Sequence, residues 1–357
     1  MTDTLRSILP DLYAPLLPDF FDTAVPIETK ATCSNCAMCP SEGAPAGAGE
    51  VTYFRPDTKC CTFHPRLPNY LVGAILADER PDMQEGRRRI REKIARRVGV
   101  SPQWIAPPRK QEVLYDAARR NSFGRSLVLR CPYYEERGGL CTIWRQREVV
   151  CSTFFCKYVD GADGQHFWRS ARAVIGSIEF ALSQGATMAL LPGWTAPPND
   201  GLTVEDLEDL PPRAGDYAAL WGELVGREEE LYLRAYEWVR ALDRGSFAEV
   251  VAGPAYATRF EAVVAAHQAL VAPTLPERLQ PNPEMTLSPA EGGHLVTTYS
   301  RYEPMLLSEG LHEVVREFSA AETVAEVRAR LRRESEVELP EELLLSLLRF
   351  RVLVAPP

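Results

Sequence analysis

The residues of this sequence that could do chemistry are above all its nine cysteines. They are Cys33, Cys36, Cys39, Cys60, Cys61, Cys131, Cys141, Cys151 and Cys156. The 201 residues that follow the last of them contain no cysteine. An odd number of clustered thiols does not suit a disulfide framework, and thiols grouped in a reducing compartment are typically metal ligands. We therefore predict one metal-binding module, with redox dithiols or inert buried cysteines as the alternatives.

The first cysteine group has a spacing that favours an iron–sulfur cluster. Cys33, Cys36 and Cys39 repeat every three residues, and three thiolates at this spacing can surround one polynuclear centre, as in ferredoxin loops. A zinc knuckle that uses two of the three is the alternative. Either Cys60 or Cys61 would complete the set. Because neighbouring side chains of an extended chain point to opposite sides, these two adjacent cysteines are expected to serve different centres.

The second cysteine group is predicted to form a second centre. Its members are Cys131, Cys141, Cys151 and Cys156. Residues 135–139 have the composition of a hairpin tip, which would bring the first two together. The turn between the last two could then close a four-thiolate site for zinc or for a cluster. His64 lies three residues after Cys61 and is as compatible with a hydrogen bond to a ligand as with ligation.

These motifs resemble the CxxCxxCC family of zinc- or iron-chelating cysteine-cluster proteins, the YkgJ-like group. That family carries G-x-C-x-I-Y followed by R-P-x-x-C-R-x-F-x-C; here residues 139–144 read GLCTIW and residues 147–156 read REVVCSTFFC. The resemblance covers residues 30–160 and implies an iron–sulfur cluster of the 4Fe–4S type or zinc. The family includes flagellin lysine methylases, so a protein-lysine methyltransferase is a third hypothesis, by analogy alone.

The elements that position these groups are predicted to form a mainly helical α+β protein. A cysteine-rich metal-binding module over residues 1–160 precedes a helical region over residues 161–272. Residues 273–283 contain four prolines and are the predicted linker. Helices are expected over residues 84–100, over residues 166–185 with an end at Gly185, and in two segments near residues 226–245 and 254–272.

The remaining residues, 284–357, have the pattern of a compact domain. Short strands turn at residues 291–293, three amphipathic helices follow, and RVLV forms a terminal strand. This order resembles the PqqD-like winged-helix domain, which in peptide-modification systems binds a leader peptide by adding a strand to a sheet edge. The resemblance implies a peptide or protein partner. Packing on the core as a dimerisation or capping element is the alternative.

Composition and charge narrow the classes of function. The net charge is −9, and residues 284–357 contain thirteen Glu against eight Arg, which argues against nucleic acid as a partner. Residues 86–147 carry sixteen Lys or Arg against five Asp or Glu, which we interpret as a solvated helix face. The alternative is a patch that attracts an anionic partner or balances the charge of the thiolates. No run of about 20 apolar residues appears, and the first residues lack the pattern of a secretory signal. We therefore expect a cytoplasmic protein without a membrane span.

No catalytic residue can be assigned from these patterns. The chain contains no phosphate-binding glycine loop, no HExxH and no methyl-donor glycine loop, and its five histidines are scattered. The predicted function is an iron–sulfur (or zinc) protein in electron transfer or in oxygen-sensitive modification of a peptide or protein. The alternative is a zinc-stapled module that binds another protein.

Overall fold

The computed structural model describes residues 3–39, 53–196 and 201–357. About half of the chain is helical and the strands are few and short, so the predicted mainly helical α+β class is confirmed. The helices are α1 Asn69–Ala77, α2 Gln84–Arg96, α3 Arg109–Ser122, α4 Val149–Thr153, α5 Gly161–Leu190, α6 Val204–Leu207, α7 Ala214–Trp221, α8 Glu228–Arg240, α9 Arg244–Val251, α10 Pro254–Val271, α11 Glu309–Arg316, α12 Val324–Ser335 and α13 Glu341–Arg349. The strands are β1 Leu67–Pro68, β2 Trp104–Ile105, β3 Tyr134–Glu135, β4 Leu140–Cys141, β5 Gln280–Pro281, β6 Thr286–Ala290, β7 Gly293–Thr297, β8 Met305–Ser308 and β9 Leu353–Val354.

The long helix α5 is the centre of the first hydrophobic core. Helices α4, α8, α9 and α10 pack along it, and so does the N-terminal segment through the buried Leu5, Tyr13 and Phe21. Side chains from residues 1–160 and from residues 161–272 therefore share one core. This shared core holds the cysteine-bearing loops against a rigid helix.

Helix α5 is longer than its sequence pattern indicates. The predicted end at Gly185 was wrong, because the helix continues to Leu190. At Gly185 a Cβ atom would lie 2.9 Å from the ring of Trp238 on α8. A glycine inside a helix costs only about 1 kcal/mol relative to alanine, so it is tolerated where it permits close packing.

By length and composition, α5 could cross a membrane. The search of the sequence for an apolar run did not anticipate this property. It is weak evidence for a membrane, because core helices meet the same criterion, and nearly half of the apolar window of α5 is buried against the neighbouring helices.

A second core contains α1, α2, α7 and α8 together with the short antiparallel strand pair β1–β2, which encloses α1 and α2 in the sequence. The predicted helix over residues 84–100 is present as α2, but it ends at Arg96 because Arg97 adopts a left-handed backbone conformation with φ of 62°. Ile90 and Ile94 are buried in this core. The many arginines of α2 thus lie outside the apolar face, as an amphipathic helix requires.

The C-terminal unit, residues 279–354, has a third core of its own. The strands β6, β7 and β8 form an antiparallel sheet in that order, and the turn at residues 291–293 and the three following helices agree with the predicted pattern. The last strand β9 pairs with β5, where Gln280 is opposite Val354. The end of the proline-rich segment 273–283 is therefore part of this unit.

Ion pairs join the C-terminal unit to the rest of the chain. Lys30 lies 2.9 Å from Glu303, and Arg349 lies 2.7 Å from Asp160 at the start of α5. Glu303 also accepts a hydrogen bond from the backbone N–H of Tyr158 at 3.1 Å. These contacts fix the β7–β8 connection over the segment that carries the last cysteine.

Candidate metal centre

A cavity of about 320 Å³ lies between the cysteine-bearing segments. Eight of the nine cysteines line it: Cys33, Cys36, Cys60, Cys61, Cys131, Cys141, Cys151 and Cys156. The ninth, Cys39, lies beside it and its thiol is hydrogen-bonded to that of Cys36. All nine are free thiols. Segments that are more than 100 residues apart in the sequence therefore meet around one space.

Local turns rather than long elements position these thiols. Cys141 belongs to β4, which pairs with β3 so that Tyr134 is opposite Cys141; the predicted hairpin is confirmed. Cys151 lies on the short helix α4. The backbone N–H of Cys131 donates to the carbonyl of Cys61 at 2.8 Å, which joins the two predicted groups directly.

Lys59 ties the loops together at the edge of the cavity. Its ammonium group donates to the carbonyl of Cys33 at 2.6 Å and to the carbonyl of Gly139 at 2.7 Å. Its backbone is left-handed, with φ of 48°, which turns the chain just before Cys60 and Cys61. One side chain thus links the first cysteine loop to the tip of the β3–β4 hairpin.

Four cysteines pack in one small cluster with Met38 and Phe54. These four are Cys36, Cys39, Cys60 and Cys156. Tyr302 of the C-terminal unit packs against the same cluster, with its ring 5.5 Å from that of Phe54. Sequence order groups Cys156 with Cys131, Cys141 and Cys151, whereas the structure packs it with the N-terminal cysteines.

A second group of cysteines lies on the side of the second core. Cys61, Cys131 and Cys141 pack there, and Cys151 is close enough to Cys131 and Cys141 for their charges to affect its pKa. Adjacent Cys60 and Cys61 pack against different clusters, but their thiols are hydrogen-bonded to each other, so the expectation that they serve different centres stays a prediction. Cys33 lies between the groups, since it interacts electrostatically with Cys36, Cys60 and Cys141.

Four cationic side chains border the cavity. They are Lys59, Arg119, Arg147 and Arg172. The Arg147 guanidinium lies 3.3 Å from the ring centroid of Trp144 and donates to the carbonyl of Cys151 at 3.1 Å. Arg172 on α5 donates to the hydroxyl and the carbonyl oxygen of Thr153, both at 3.1 Å. These contacts keep the two guanidinium groups at the border of the cavity, where their positive charge would stabilise cysteine thiolates.

Glu148 is the acidic side chain of the cavity lining. Its carboxylate accepts from the backbone N–H groups of Val150 at 2.8 Å and Cys151 at 2.9 Å, which caps the start of α4. The side chain is buried, and burial raises its pKa although these hydrogen bonds oppose the shift. This glutamate stands where the resembling family has proline, and here it fixes the backbone that carries Cys151.

Burial disfavours the thiolate form of several of these cysteines. It raises the pKa of Cys33 and Cys141 to about 11 and that of Cys39 and Cys156 to about 12. Burial also raises the pKa of Cys131. Since a metal binds the thiolate, metal uptake at neutral pH would release these protons.

His64 does not line the cavity, although its neighbours Phe63 and Pro65 do. Its Nδ1 is 2.9 Å from the amide oxygen of Gln111. Burial lowers the pKa of the imidazole to about 3. His64 is therefore a neutral, buried side chain that lies outside the cavity.

The sequence pattern did not single out the aromatic side chains that line the cavity, nor which of the basic residues border it. Phe123 and Phe154 pack edge to face, with ring centroids 5.2 Å apart, and Tyr115 also lines the cavity. The only sequence signal for this wall is the position of Arg147 and Phe154 inside the cysteine signature. Arg119, Tyr115 and Phe123 come from α3 and the turn after it, and no spacing rule connects them to the cysteines.

The sulfur atoms surround a space rather than a point. Within residues 3–39, 53–196 and 201–357, no three cysteine sulfurs lie within 4.8 Å of one another. In the same part of the chain, that spacing is met by the side chains of His294, Glu309 and His312 in the C-terminal unit.

Comparison of this chain with known proteins finds no matching family model, no matching curated protein and no matching solved structure.

Proposed function

We propose that this chain is an iron–sulfur protein that passes electrons, either to a partner protein or into the modification of a peptide held by the C-terminal unit. The observation that carries the proposal is the cavity that eight cysteines line together. Thiolates are the protein ligands of iron–sulfur clusters. The cluster would supply reversible one-electron transfer.

The donor set and the cavity fit a polynuclear group better than single zinc ions. Around one zinc, Zn–S bonds of about 2.3 Å in a tetrahedron bring sulfurs to about 3.8 Å from one another. Two pairs of thiols here are hydrogen-bonded, Cys36 with Cys39 and Cys60 with Cys61, but the cysteines as a set are spread around a cavity of about 320 Å³. A cluster places several iron and sulfide ions between its thiolates and therefore needs such space.

Packing suggests two sets of four ligands. The first set is Cys36, Cys39, Cys60 and Cys156, and the second is Cys61, Cys131, Cys141 and Cys151. Cys33, between them, is the ninth thiol. In this assignment, the thiols that share a centre are those that pack together in the structure, and they are not consecutive in the sequence.

The surrounding side chains would stabilise the thiolate form and shield it from water. Lys59, Arg119, Arg147 and Arg172 supply positive charge. Phe54, with its ring packed against Tyr302, covers the first set. In a low-dielectric environment each such charge has a larger effect on the thiolates than it would in water.

The C-terminal unit is the proposed binding element for a peptide or protein. Its sheet has two edges, and β6 carries Pro289, which has no N–H to donate. The other edge, β8, has no proline, and Leu306 in it is 60% exposed. Strand addition at β8 would use the peptide-recognition mode that the winged-helix resemblance implies. Tyr302, just before β8, contacts the first cysteine set.

The test is the metal content of matched cysteine variants purified anaerobically. Wild-type protein should contain iron and acid-labile sulfide in two equal centres. Cys156→Ser and Cys131→Ser should each lose about half of both, since each removes a ligand of one centre. Cys33→Ser is the control and should keep the wild-type content. Stoichiometric zinc without sulfide would overturn the iron–sulfur proposal, and equal losses in all three variants would overturn the ligand sets.

A further inference from the structure

Two of the five histidines of the chain converge with a glutamate on the surface of the C-terminal unit. His294 lies on β7, and Glu309 and His312 lie in the first turns of α11. One ligand atom from each of the three side chains lies within 4.8 Å of the others. We propose that these three side chains form a zinc site, separate from the cysteine cavity.

The local backbone brings the two elements unusually close. At Gly293 a Cβ atom would lie 2.1 Å from the carbonyl oxygen of Leu307 and 2.9 Å from Cα of Ser308. Only glycine therefore allows β7 to approach the junction of β8 and α11 in this way. The next residue, His294, is thereby placed against the first turn of α11.

The two α11 ligands share one face of that helix. Glu309 and His312 are three residues apart, so their side chains project to the same side. Ser308 caps the helix and its hydroxyl accepts from the backbone N–H of Leu311 at 3.4 Å. The cap fixes the start of α11 and hence the direction in which both ligands point.

The side-chain geometry has the form of a metal site. The rings of His294 and His312 have centroids 4.3 Å apart. Nδ1 of His294 is buried and has no hydrogen-bond partner, although a carboxylate oxygen of Glu309 is 3.6 Å away. An unpaired buried polar atom costs free energy, and a bound cation would satisfy this nitrogen and draw the carboxylate in.

The donor set points to zinc. Two imidazoles and one carboxylate are ligands that zinc binds at about 2.0 to 2.2 Å, with water in the fourth position when only three protein ligands are present. Glu309 is two-thirds exposed, so solvent can reach that open position. The bound ion would clamp α11 to the sheet next to the β8 edge.

The test is zinc titration of the full chain with its cysteine centres loaded. Calorimetry should show one additional zinc per chain in wild-type protein and in the control His166→Ala, whose histidine is exposed on α5. His294→Ala should weaken this binding at least about 100-fold, since losing a ligand costs more than losing an outer-shell partner. Glu309→Gln, a change at an exposed side chain that cannot disrupt the core, should weaken it as well.

Cobalt(II) gives a readout that the cysteines cannot imitate. In the difference spectrum between cluster-loaded protein with and without added cobalt, cobalt held by nitrogen and oxygen should show weak visible bands without sulfur-to-cobalt charge transfer, and His312→Gln should abolish them. Unchanged zinc affinity in both His294→Ala and Glu309→Gln would overturn the proposal. So would a cobalt spectrum that shows only sulfur ligation. Neither result would bear on the iron content of the cysteine cavity.

Discussion

The cysteine-lined region and the C-terminal unit maintain their structures by different means. In the C-terminal unit, strands β6–β8 and helices α11–α13 enclose thirteen buried apolar side chains. Around the cavity, residues 26–39 and 53–66 contain no helix or strand, and β3 and β4 have two residues each. In the function proposed above, the bound clusters would crosslink this region through their cysteine ligands.

Metal removal should cause the largest difference between the cysteine-lined region and the C-terminal unit. Chelation should unfold the cysteine loops, because the binding free energy of a structural metal site is also folding free energy, on the order of 10 kcal/mol for zinc. Hydrogen exchange should lose protection over residues 53–66 and 131–156, while α12 stays protected. Equal loss in both regions, or no loss in either, would contradict the comparison.

Truncation of a side chain in the core of the C-terminal unit should destabilise that unit and leave the cysteine-lined region unchanged. Leu344 on α13 is fully buried, and Leu344→Ala should destabilise the C-terminal unit by about 2–5 kcal/mol through the cavity it creates. Native-state hydrogen exchange of α12 would measure this change. Metal content should stay at the wild-type level, and Leu287→Ala, at an exposed position on β6, is the control. Loss of metal in Leu344→Ala would show that the two regions are not independent.

The pH dependence of stability should report on the segment between the two regions. Glu28 accepts from the backbone N–H of Val159 and from the indole of Trp168, both at 2.7 Å, and burial raises its pKa to about 7. The folded protein therefore favours the protonated form, so this group stabilises below pH 4.5 and loses that contribution as pH rises through 7.

Glu28→Gln should remove this dependence. Between pH 4.5 and pH 8 the free energy of unfolding should fall by about 3 kcal/mol more in wild-type protein than in the variant, as a pKa shift from 4.5 to about 7 implies. Denaturant titrations at the two pH values measure it. The same pH dependence in both proteins would show that Glu28 is not the responsible group.

The smallest effect concerns a helix cap. Thr323 and Glu326 form a capping box at the start of α12, and Thr323→Ala should cost about 1 kcal/mol. The change should appear in the thermal unfolding of the C-terminal unit alone. The same substitution at Thr203, which caps the exposed four-residue helix α6, is the matched control and should have less effect. If Thr323→Ala also lost hydrogen-exchange protection in the cysteine loops, the two regions would not be independent.

Local signals in the sequence were sufficient to predict several elements of the fold. The hairpin tip at residues 135–139 and the turn at residues 291–293 each depend on a few adjacent residues, and each has the predicted form. The end of α5 could not be predicted, because Gly185 is explained by contact with Trp238, which is 53 residues away.

The arrangement of the site depended on long-range packing. Chain order places Cys156 with Cys151, but the turn after α4 and the cover by Tyr302 bring it to Cys36. The pairing of β5 with β9 also depends on distant residues. The convergence of His294 with His312 had only a weak signal, the spacing of Glu309 and His312 on one helix face.

The central claim is that the cysteine cavity holds iron and sulfide, and the optical spectrum of anaerobically purified protein tests it most directly. We predict a brown protein with broad sulfur-to-iron absorption that bleaches on chemical reduction and returns on reoxidation. A colourless protein that contains zinc and shows no change on reduction would contradict the account.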